Sequence, residues 1–197
     1  MNWILQLVPG EARDYFFITF VFITCFLLFL LDDNYRGFVM SLEKVKQYFD
    51  SFGLGQRVHE LAQSSATVEK AAVAVGCEPE RIAKTMSFLL GEEPILIVTA
   101  GDARIDNKKY KEYFHQKAKM IPGELVEQYV GHAPGGVCPF VIPSNTKVFL
   151  DVSLKRFDIV YPAAGTSNSA VELSIKELED CSRCREWIDV CKDWSRE

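Results

Sequence analysis

The sequence predicts a single mixed α+β domain that follows an apolar leader. Helical and strand-like segments are interleaved from residue 41 onwards, without the regular strand–helix–strand rhythm of a doubly wound sheet. Of the 197 residues, 48% are hydrophobic and 25% charged, which is typical of a globular protein with one real core. No internal repeat or low-complexity linker divides the chain. We therefore expect one compact domain with a mixed β-sheet flanked by helices.

Helices are predicted where apolar residues recur at intervals of three and four. Leu42, Val45 and Phe49 begin the first such pattern, and Gly53 ends it. Thr67 is a typical N-cap for the next helix. The predicted helices cover residues 41–52, 67–76, 106–119, 124–130 and 175–194, with a short helical turn at residues 79–82.

Strands are predicted in short apolar or alternating runs that are bounded by turn residues. The apolar run Pro94–Ala100 is the pattern expected of a buried central strand. Gly91–Glu93 suits a hairpin turn between this run and the preceding strand. The predicted strands cover residues 57–61, 83–90, 94–100, 147–151, 158–161 and 170–173.

The leader differs in composition from the rest of the chain. Residues 15–31 form an apolar run at the lower length limit for a membrane-spanning helix. Glu11, Arg13 and Asp14 precede it, where a signal peptide would carry a basic cluster. Residues 1–39 are therefore interpreted as a dispensable leader with translation starting at Met40, as a membrane anchor, or as a buried core helix. Residues 40–197 form the predicted functional domain.

Charge and cysteine content limit the classes of partner and site. The formal net charge of −5 argues against a protein that coats nucleic acid generally, although a local basic patch could dock one nucleic-acid end. Six cysteines in a chain of this length favour a reducing compartment over a disulfide scaffold. Cys181, Cys184 and Cys191 group near the C-terminus. A structural zinc site needs four ligands, so buried thiols are the simpler interpretation and no metal is predicted.

The segment Gly131–Phe140 is the clearest candidate for chemistry. It combines three glycines and two prolines between a predicted helix and a predicted strand. Glycine lets a ligand approach the main chain closely, and proline stiffens the loop. The amides of Gly135, Gly136 and Val137 could converge on one oxygen, as an oxyanion hole or as a phosphate cradle. An ordinary turn is the alternative.

Two further segments carry polar groups that suit a binding site. Lys84 lies among apolar residues at the beginning of a strand, where loss of water would strengthen its action on an anion or carbonyl. A lysine that extends to solvent is the alternative. Gly165–Ser169 follows a bend and offers small polar side chains, which suit either a pocket wall or a surface turn.

These segments, in this order, resemble the YbaK/EbsC family of aminoacyl-tRNA deacylases, which is related to the editing domain of bacterial prolyl-tRNA synthetases. The resemblance covers about residues 41–180. Several ordered motifs make it far more specific than any one of them. The matching stretches are Ser65–Ala72, Arg81–Thr85, Gly131–Phe140 and Tyr161–Gly165.

The resemblance implies a single α+β domain with a mixed sheet. It also implies hydrolysis, without metal or cofactor, of the ester between a mismatched amino acid and tRNA, chiefly tRNA for proline. Loop amides would hold the ester carbonyl, Lys84 would orient the substrate, and water would attack. The catalytic residues implied are Lys84, Gly135, Gly136 and Val137. The substrate-binding residues expected are Thr85, Gly131, Cys138, Pro139, Gly165, Ser167 and Asn168.

Reactive side chains in the loop have structural alternatives. Cys138 is interpreted as a wall residue rather than a nucleophile, because relatives in this family often carry a hydroxyl residue there. His132 is interpreted as a residue that caps the loop rather than a general base. The basic residues Arg104, Lys108, Lys109, Lys111, Lys117 and Lys119 form a cluster that is the expected contact with tRNA phosphates, chiefly through Lys108, Lys109 and Lys111. A solvated helix face is the alternative.

The predicted function is hydrolysis of mischarged aminoacyl-tRNA in trans by a cytoplasmic enzyme. Aminoacyl-tRNA and prolyl-tRNA synthetase are the expected partners. A non-catalytic module that binds aminoacyl-tRNA or a synthetase is the alternative. A membrane-tethered scaffold is a third interpretation, and it depends entirely on residues 15–31.

Overall fold

The computed structural model describes residues 41–62, 65 and 67–194. Residues 1–39, with the apolar run at 15–31, lie outside the described residues, so the leader and the domain boundary remain predictions. The helices are α1 (which includes residues 41–50), α2 (Val68–Val75), α3 (Asn107–Phe114), α4 (Gly123–Val130) and α5 (Ile175–Ser182). The strands are β1 (Val58–Glu60), β2 (Ile82–Leu90), β3 (Glu93–Ala100), β4 (Arg104–Ile105), β5 (Lys147–Asp151), β6 (Ile159–Pro162), β7 (Ser169–Val171), β8 (Leu173–Ser174), β9 (Glu186–Ile188) and β10 (Cys191–Lys192).

Six of these strands form one mixed sheet in the order β8-β6-β2-β3-β5-β9. The β2–β3 hairpin is antiparallel, whereas β2–β6, β3–β5 and β5–β9 are parallel pairs. Two antiparallel ribbons, β1–β7 and β4–β10, lie outside this sheet. The single α+β domain with a mixed sheet is therefore confirmed.

The core is centred on β3, as its apolar composition predicts. Ile95, Leu96, Ile97 and Val98 are fully buried, because strands pair with β3 on both sides and other elements cover its faces. Aromatic side chains of α3 pack against the sheet. Phe88 of β2 lies 5.4 Å from the Tyr110 ring, and Phe114 lies 5.3 Å from the Phe149 ring of β5.

Side-chain caps fix the beginnings of three helices. Thr67 accepts a hydrogen bond from the Lys70 amide at the beginning of α2, as predicted. Asp106 accepts from the amides of Lys108 and Lys109 at the beginning of α3. Ser174 begins α5 with a capping box. α2 and α4 end where Gly76 and Gly131 adopt left-handed backbone angles.

The prediction of one helix over residues 106–119 is wrong beyond Phe114. His115 adopts a left-handed conformation and ends α3. The chain then returns along β2, where the Leu89 amide donates to the Lys119 carbonyl and the Ile121 amide donates to the Ser87 carbonyl. Backbone groups of β2 need partners, and this segment satisfies them in place of further helical turns.

The prediction of helix over residues 175–194 is wrong beyond Ser182. Arg183 adopts a left-handed conformation at the end of α5. The following residues pair as β9 with β5 and as β10 with β4. The predicted last strand, residues 170–173, is also divided, since Glu172 separates β7 from β8 and donates its amide to the Arg57 carbonyl.

Among the described residues, no helix is both long and apolar enough to cross a membrane.

Candidate active site

A cleft of about 400 Å³ opens where four parts of the chain meet. They are α2, the beginning of β2, the segment Gly131–Phe140 (the glycine loop) and the β6–β7 region. Four predicted site residues line it: Lys84, Thr85, Gly135 and Val137. The other lining residues are small or apolar with few exceptions. They are Ser65, Thr67, Val68, Ala71, Ile82, Ala83, Tyr161, Ala163, Ser169 and Ala170.

Lys84 is held at this cleft by a backbone carbonyl. Its ammonium group donates a 2.9 Å hydrogen bond to the carbonyl oxygen of Gly101. Partial burial lowers the pKa of Lys84, while the charges of Asp102 and Glu69 act in the opposite direction. An ammonium group has three N–H donors, so this hydrogen bond leaves others for a substrate oxygen.

The turn that holds Lys84 is itself tightly packed. A side chain at Gly101 would overlap the Pro79 carbonyl, and the Gly101 amide donates to the Glu80 carbonyl at 3.1 Å. Asp102 forms a 2.5 Å ion pair with Arg156. The Arg156 guanidinium also donates to the Ser153 carbonyl and lies 5.2 Å from the centre of the Trp194 ring. The Gly101 carbonyl therefore has little freedom to move.

The three glycines of the loop meet two different requirements. Gly131 ends α4 with a positive φ of 78°, and Gly135 has a φ of 88°. Gly136 lacks a side chain for another reason. A Cβ atom there would lie 2.7 Å from the Thr166 Cα and 2.8 Å from the Gly165 carbonyl oxygen. The backbone of the loop at Gly136 therefore packs directly against the backbone of the 165–169 segment.

One expectation about the loop amides is corrected by this geometry. The Gly136 amide donates to the Ala133 carbonyl at 3.0 Å and closes a turn, so it does not point at a ligand. The amides of Gly135 and Val137 make no hydrogen bond within the described part of the chain, and both residues line the cleft. The Gly136 amide is therefore engaged within the loop, and the amides of Gly135 and Val137 are the two of the three that lack a partner among the described residues.

His132 and Cys138 lie behind the loop and not in the cleft. Both are buried. His132 Nε2 lies 2.7 Å from the Phe140 carbonyl oxygen, which only accepts, so this nitrogen carries the proton. Its Nδ1 lies 3.2 Å from the Ser41 hydroxyl of α1. These contacts tie the loop to α1, which is the capping role predicted for His132.

Cys138 completes this buried group. Its Sγ lies 3.4 Å from His132 Nε2 and 3.7 Å from the Phe140 carbonyl oxygen. Burial alone would lower the pKa of His132, but the neighbouring Cys138 sulfur and the Phe140 carbonyl outweigh it and raise the pKa to about 9. Cys138 therefore supports the loop from behind and is not among the lining residues of the cleft.

The 165–169 segment is a scaffold for the cleft. The Thr166 hydroxyl donates to Ser169 Oγ at 2.7 Å, and Asn168 donates to the Leu61 carbonyl at 3.3 Å. The Ser167 carbonyl accepts from the Ser65 amide at 2.6 Å. Ser169 lines the cleft. The other predicted residues Gly131, Pro139, Gly165, Ser167 and Asn168 are not among its lining residues.

Thr85 is a lining residue whose side chain lacks a hydrogen-bond partner in the described part of the chain. Its hydroxyl oxygen is buried and has no hydrogen-bond partner within the described residues. A buried polar atom without a partner is uncommon in folded proteins, and one beside a cleft suits a ligand that supplies the partner.

Sequence reasoning missed Tyr161 and the inner face of α2. The Tyr161 hydroxyl donates to Glu172 at 3.2 Å, and Arg81 lies 5.6 Å from the ring centre. Tyr161 falls in a predicted strand, so alternation along that strand was the signal that could have found it. Val68 and Ala71 belong to α2, where the sequence predicted a helix but no lining residues.

The predicted tRNA-binding lysines separate into two kinds. Lys108 and Lys111 are exposed. Lys109 is already bound, since its ammonium group lies 2.7 Å from the Asp189 carboxylate and 2.8 Å from the Cys191 carbonyl oxygen. This lysine attaches β10 to α3, and its availability to an RNA phosphate is reduced accordingly.

The C-terminal cysteines lie in different elements of the fold. Cys181 lies in α5, and Cys191 lies in β10 beside the buried Asp151. Burial raises the pKa of Cys181 to about 11 and that of Cys191 further. The Asp151 carboxylate accepts from the amides of Ser153 and Val190. Within the described ranges, no group of three or more His, Cys, Asp or Glu side chains could hold a metal ion.

Comparison with known proteins places this cleft in a family. The family model of the aminoacyl-tRNA editing domain matches residues 62–181, which include every described lining residue. The chain is 52% identical over 157 residues to the uncharacterized protein YwhH of Bacillus subtilis, covering 79% of this chain and 99% of that protein. It is 31% identical over 90 residues to proline–tRNA ligase of Aquifex aeolicus, covering 45% of this chain and 16% of that enzyme.

A solved structure agrees in fold. It is that of a proposed trans-editing enzyme for prolyl tRNA synthetase, with a TM-score of 0.68 and 26% sequence identity. The match covers 80% of this chain and 98% of that one. The cleft with its lysine and glycine loop, the mixed sheet and the family match agree, and the chain belongs to the aminoacyl-tRNA editing domain family.

Proposed function

We propose that this protein hydrolyses, in trans, the ester that joins a wrong small amino acid to tRNA for proline. One observation carries the proposal. Lys84, Gly135 and Val137 come from distant parts of the chain and line the same cleft, and the amides of Gly135 and Val137 make no hydrogen bond within the described residues. Two unused amides can stabilise the negative charge that develops on an ester carbonyl oxygen, and a nearby cation can orient the substrate.

In the proposed reaction the ester carbonyl oxygen accepts hydrogen bonds from the amides of Gly135 and Val137. Water attacks the carbonyl carbon and gives a tetrahedral oxyanion that these amides stabilise. The carbon–oxygen bond to the ribose then breaks, the ribose oxygen takes a proton, and the amino acid leaves as a carboxylic acid. The adjacent ribose hydroxyl of the substrate relays the proton from water. Lys84 orients the substrate through its remaining N–H groups.

The cleft walls favour a small amino acid. Ala71, Ala83, Ala163 and Ala170 contribute short side chains. When two amino acids differ by one methylene, a synthetase pocket discriminates between them by only about 1–3 kcal/mol. A second site that admits and hydrolyses the smaller wrong product therefore improves accuracy. The buried Thr85 hydroxyl offers a hydrogen bond to the amino group or side chain of the substrate.

Two comparisons support proline tRNA and action in trans. The relative from Aquifex aeolicus is a proline–tRNA ligase, of which the chain matches 16%. The solved structure described as a proposed trans-editing enzyme is matched over 98% of its length. The first supports a relation to proline–tRNA ligases, and the second supports an editing domain that works in trans.

The test is a deacylation assay with tRNA for proline charged with alanine, cysteine, serine, threonine or proline. We expect release of at least one wrong amino acid, little release of proline, and a loss of about 10²–10³-fold in kcat/KM for Lys84→Ala. Binding of charged tRNA without turnover would support the non-catalytic module instead. No turnover of any charged tRNA would falsify the enzyme assignment.

A further inference from the structure

The short ribbon formed by β4 and β10 presents two cations side by side. Lys192 and Arg104 are Cα partners in its antiparallel register, as are Cys191 and Ile105. Residues directly opposite each other in such a pair point to the same face, and successive residues point to opposite faces. Cys191 is fully buried and Ile105 is half-buried, so this pair faces the core. Arg104 and Lys192 are exposed on the other face.

Two like charges directly opposite each other destabilise a ribbon, so this pair is unfavourable for folding alone. Neither Arg104 nor Lys192 forms an ion pair within 4 Å in the described part of the chain. Asp102 pairs with Arg156, and Asp106 caps α3 through the amides of Lys108 and Lys109, although Lys192 is close enough to help lower the pKa of Asp106. Neither cation of the ribbon is held in an ion pair among the described residues, so both can meet an anion at the surface.

The ribbon also adjoins the cleft. β4 begins three residues after Gly101, whose carbonyl holds Lys84. The positive charge of Arg104 is close enough to lower the pKa of Lys84, although burial is the larger cause. A substrate whose ester lies at Lys84 carries its phosphates in the neighbouring nucleotides, so it must place anions near this part of the surface.

We infer that Arg104 and Lys192 bind the phosphate groups of the last nucleotides of aminoacyl-tRNA and so direct its ester into the cleft. The inference rests on the proposed function and adds an interaction surface to it. It uses Lys192, which lies far from the predicted basic cluster in sequence. Lys109 fixes β10 through Asp189 and the Cys191 carbonyl, and β10 in turn positions Lys192.

The test measures binding of an RNA hairpin with a tRNA acceptor stem and 3′ end over a range of salt concentrations. The double variant Arg104→Gln/Lys192→Gln removes both charges and keeps long polar side chains. Each phosphate contact on a single strand contributes about 0.7 to the slope of log K against log salt, so we expect the slope to become shallower by about 1.4. The melting temperature of this variant should equal or exceed that of the wild type, because the substitutions remove two like charges that lie opposite each other.

The matched control is Lys117→Gln/Lys119→Gln, which removes the same charge elsewhere. The Lys119 carbonyl accepts from the Leu89 amide, and Leu89 is five residues along β2 from Lys84, or roughly 17 Å away. We expect the control to retain the wild-type slope. An unchanged slope for the Arg104/Lys192 variant, or an equal change in the control, would overturn the inference.

A second substrate separates this inference from the proposed function. Alanine esterified to adenosine has the ester and ribose but no phosphate, so its hydrolysis by the wild-type protein reports the cleft alone. Absence of turnover for both this ester and alanyl-tRNA would count against the proposed function. The RNA-binding slopes need no turnover, so they decide the role of the ribbon in either case.

Discussion

The ammonium nitrogen of Lys84 lies 2.9 Å from the carbonyl oxygen of Gly101, so a backbone group rather than a carboxylate holds this lysine at the cleft. A carbonyl dipole orients the ammonium group without cancelling its charge. The charge therefore remains available to a substrate in an environment that is partly shielded from water.

The protonation of Lys84 should limit activity at high pH. Burial lowers its pKa from 10.5, and the negative charge of Asp102 partly restores it. If the charged form is required, kcat/KM falls as the pH rises through this lowered pKa. Asp102→Asn removes an acidic charge and should move the decline to lower pH. A pH profile measured with alanyl-tRNA for both proteins checks this. Identical alkaline limbs would contradict the assignment of the charge.

Gly136 should tolerate no side chain. A Cβ there would come within 2.7 Å of the Thr166 Cα, a distance that side chains essentially never show. We expect Gly136→Ala to lower the free energy of unfolding by about 1–3 kcal/mol and to reduce deacylation. Gly123→Ala is the control, since nothing lies within 4 Å of a Cβ at that helical position. It should be neutral or stabilising. Urea unfolding and the deacylation assay, applied to both variants, test the contrast.

Two buried hydroxyls allow stability and function to be separated. Thr85 Oγ1 and Tyr110 Oη have no hydrogen-bond partner within the described residues, but only Thr85 lines the cleft. Loss of an unsatisfied buried hydroxyl can be neutral or stabilise by about 1 kcal/mol. We expect Thr85→Val and Tyr110→Phe both to retain stability. Only Thr85→Val should impair deacylation, and equal activities of the two variants would argue against a role for Thr85 in binding.

Tyr110 also predicts a pH dependence of folding. Burial raises its pKa from 10.0 to about 12. The unfolded chain therefore loses this proton at a lower pH than the folded protein, and stability falls as the pH rises from about 10 to 12. Tyr110→Phe removes that contribution. Thermal unfolding at pH 9 and pH 11 should show a smaller decrease for the variant than for the wild type.

Cys138 should be dispensable for chemistry but not for the pH dependence of stability. Its sulfur contacts His132 behind the loop and is fully buried. Cys138→Ala should retain deacylation within about tenfold, whereas loss of a covalent nucleophile would cost far more. The pKa of His132 is raised from 6.5 to about 9, so its contribution to stability is present below pH 6.5 and is lost as the pH approaches 9.

Melting temperatures between pH 6 and pH 9 provide the measurement. The Cys138 sulfur is part of what raises the pKa of His132, so the decrease in melting temperature with pH should be smaller in Cys138→Ala. An equally steep decrease in both proteins would show that Cys138 does not affect the ionisation of His132.

Local patterns in the sequence predicted the elements that depend on neighbouring residues. The β2–β3 hairpin, the Thr67 cap and the Gly131 terminus of α4 all follow from short-range chemistry. β9 and β10 could not be predicted in this way. They contain three and two residues, and each is a strand only because β5 or β4 supplies its hydrogen bonds.

The candidate site also combines features that neighbouring residues predict with features that depend on tertiary contacts. Lys84 and the glycine loop were found because their residue types are unusual for their positions. The use of the Gly136 amide by Ala133 depends on the turn that the loop forms. The engagement of Lys109 by Asp189 depends on a carboxylate that is remote in sequence. Such pairings are decided by tertiary packing, which residue spacing does not encode.

The C-terminal strands have a practical consequence for work with this domain. The family match ends at residue 181, before β9 begins at Glu186. A chain shortened to the matched range would expose the edge of β5, whose apolar residues Val148, Phe149 and Leu150 are now buried. It would also remove the partners of Lys109. An unpaired apolar edge is a template for self-association, so such a fragment should aggregate where the longer chain does not.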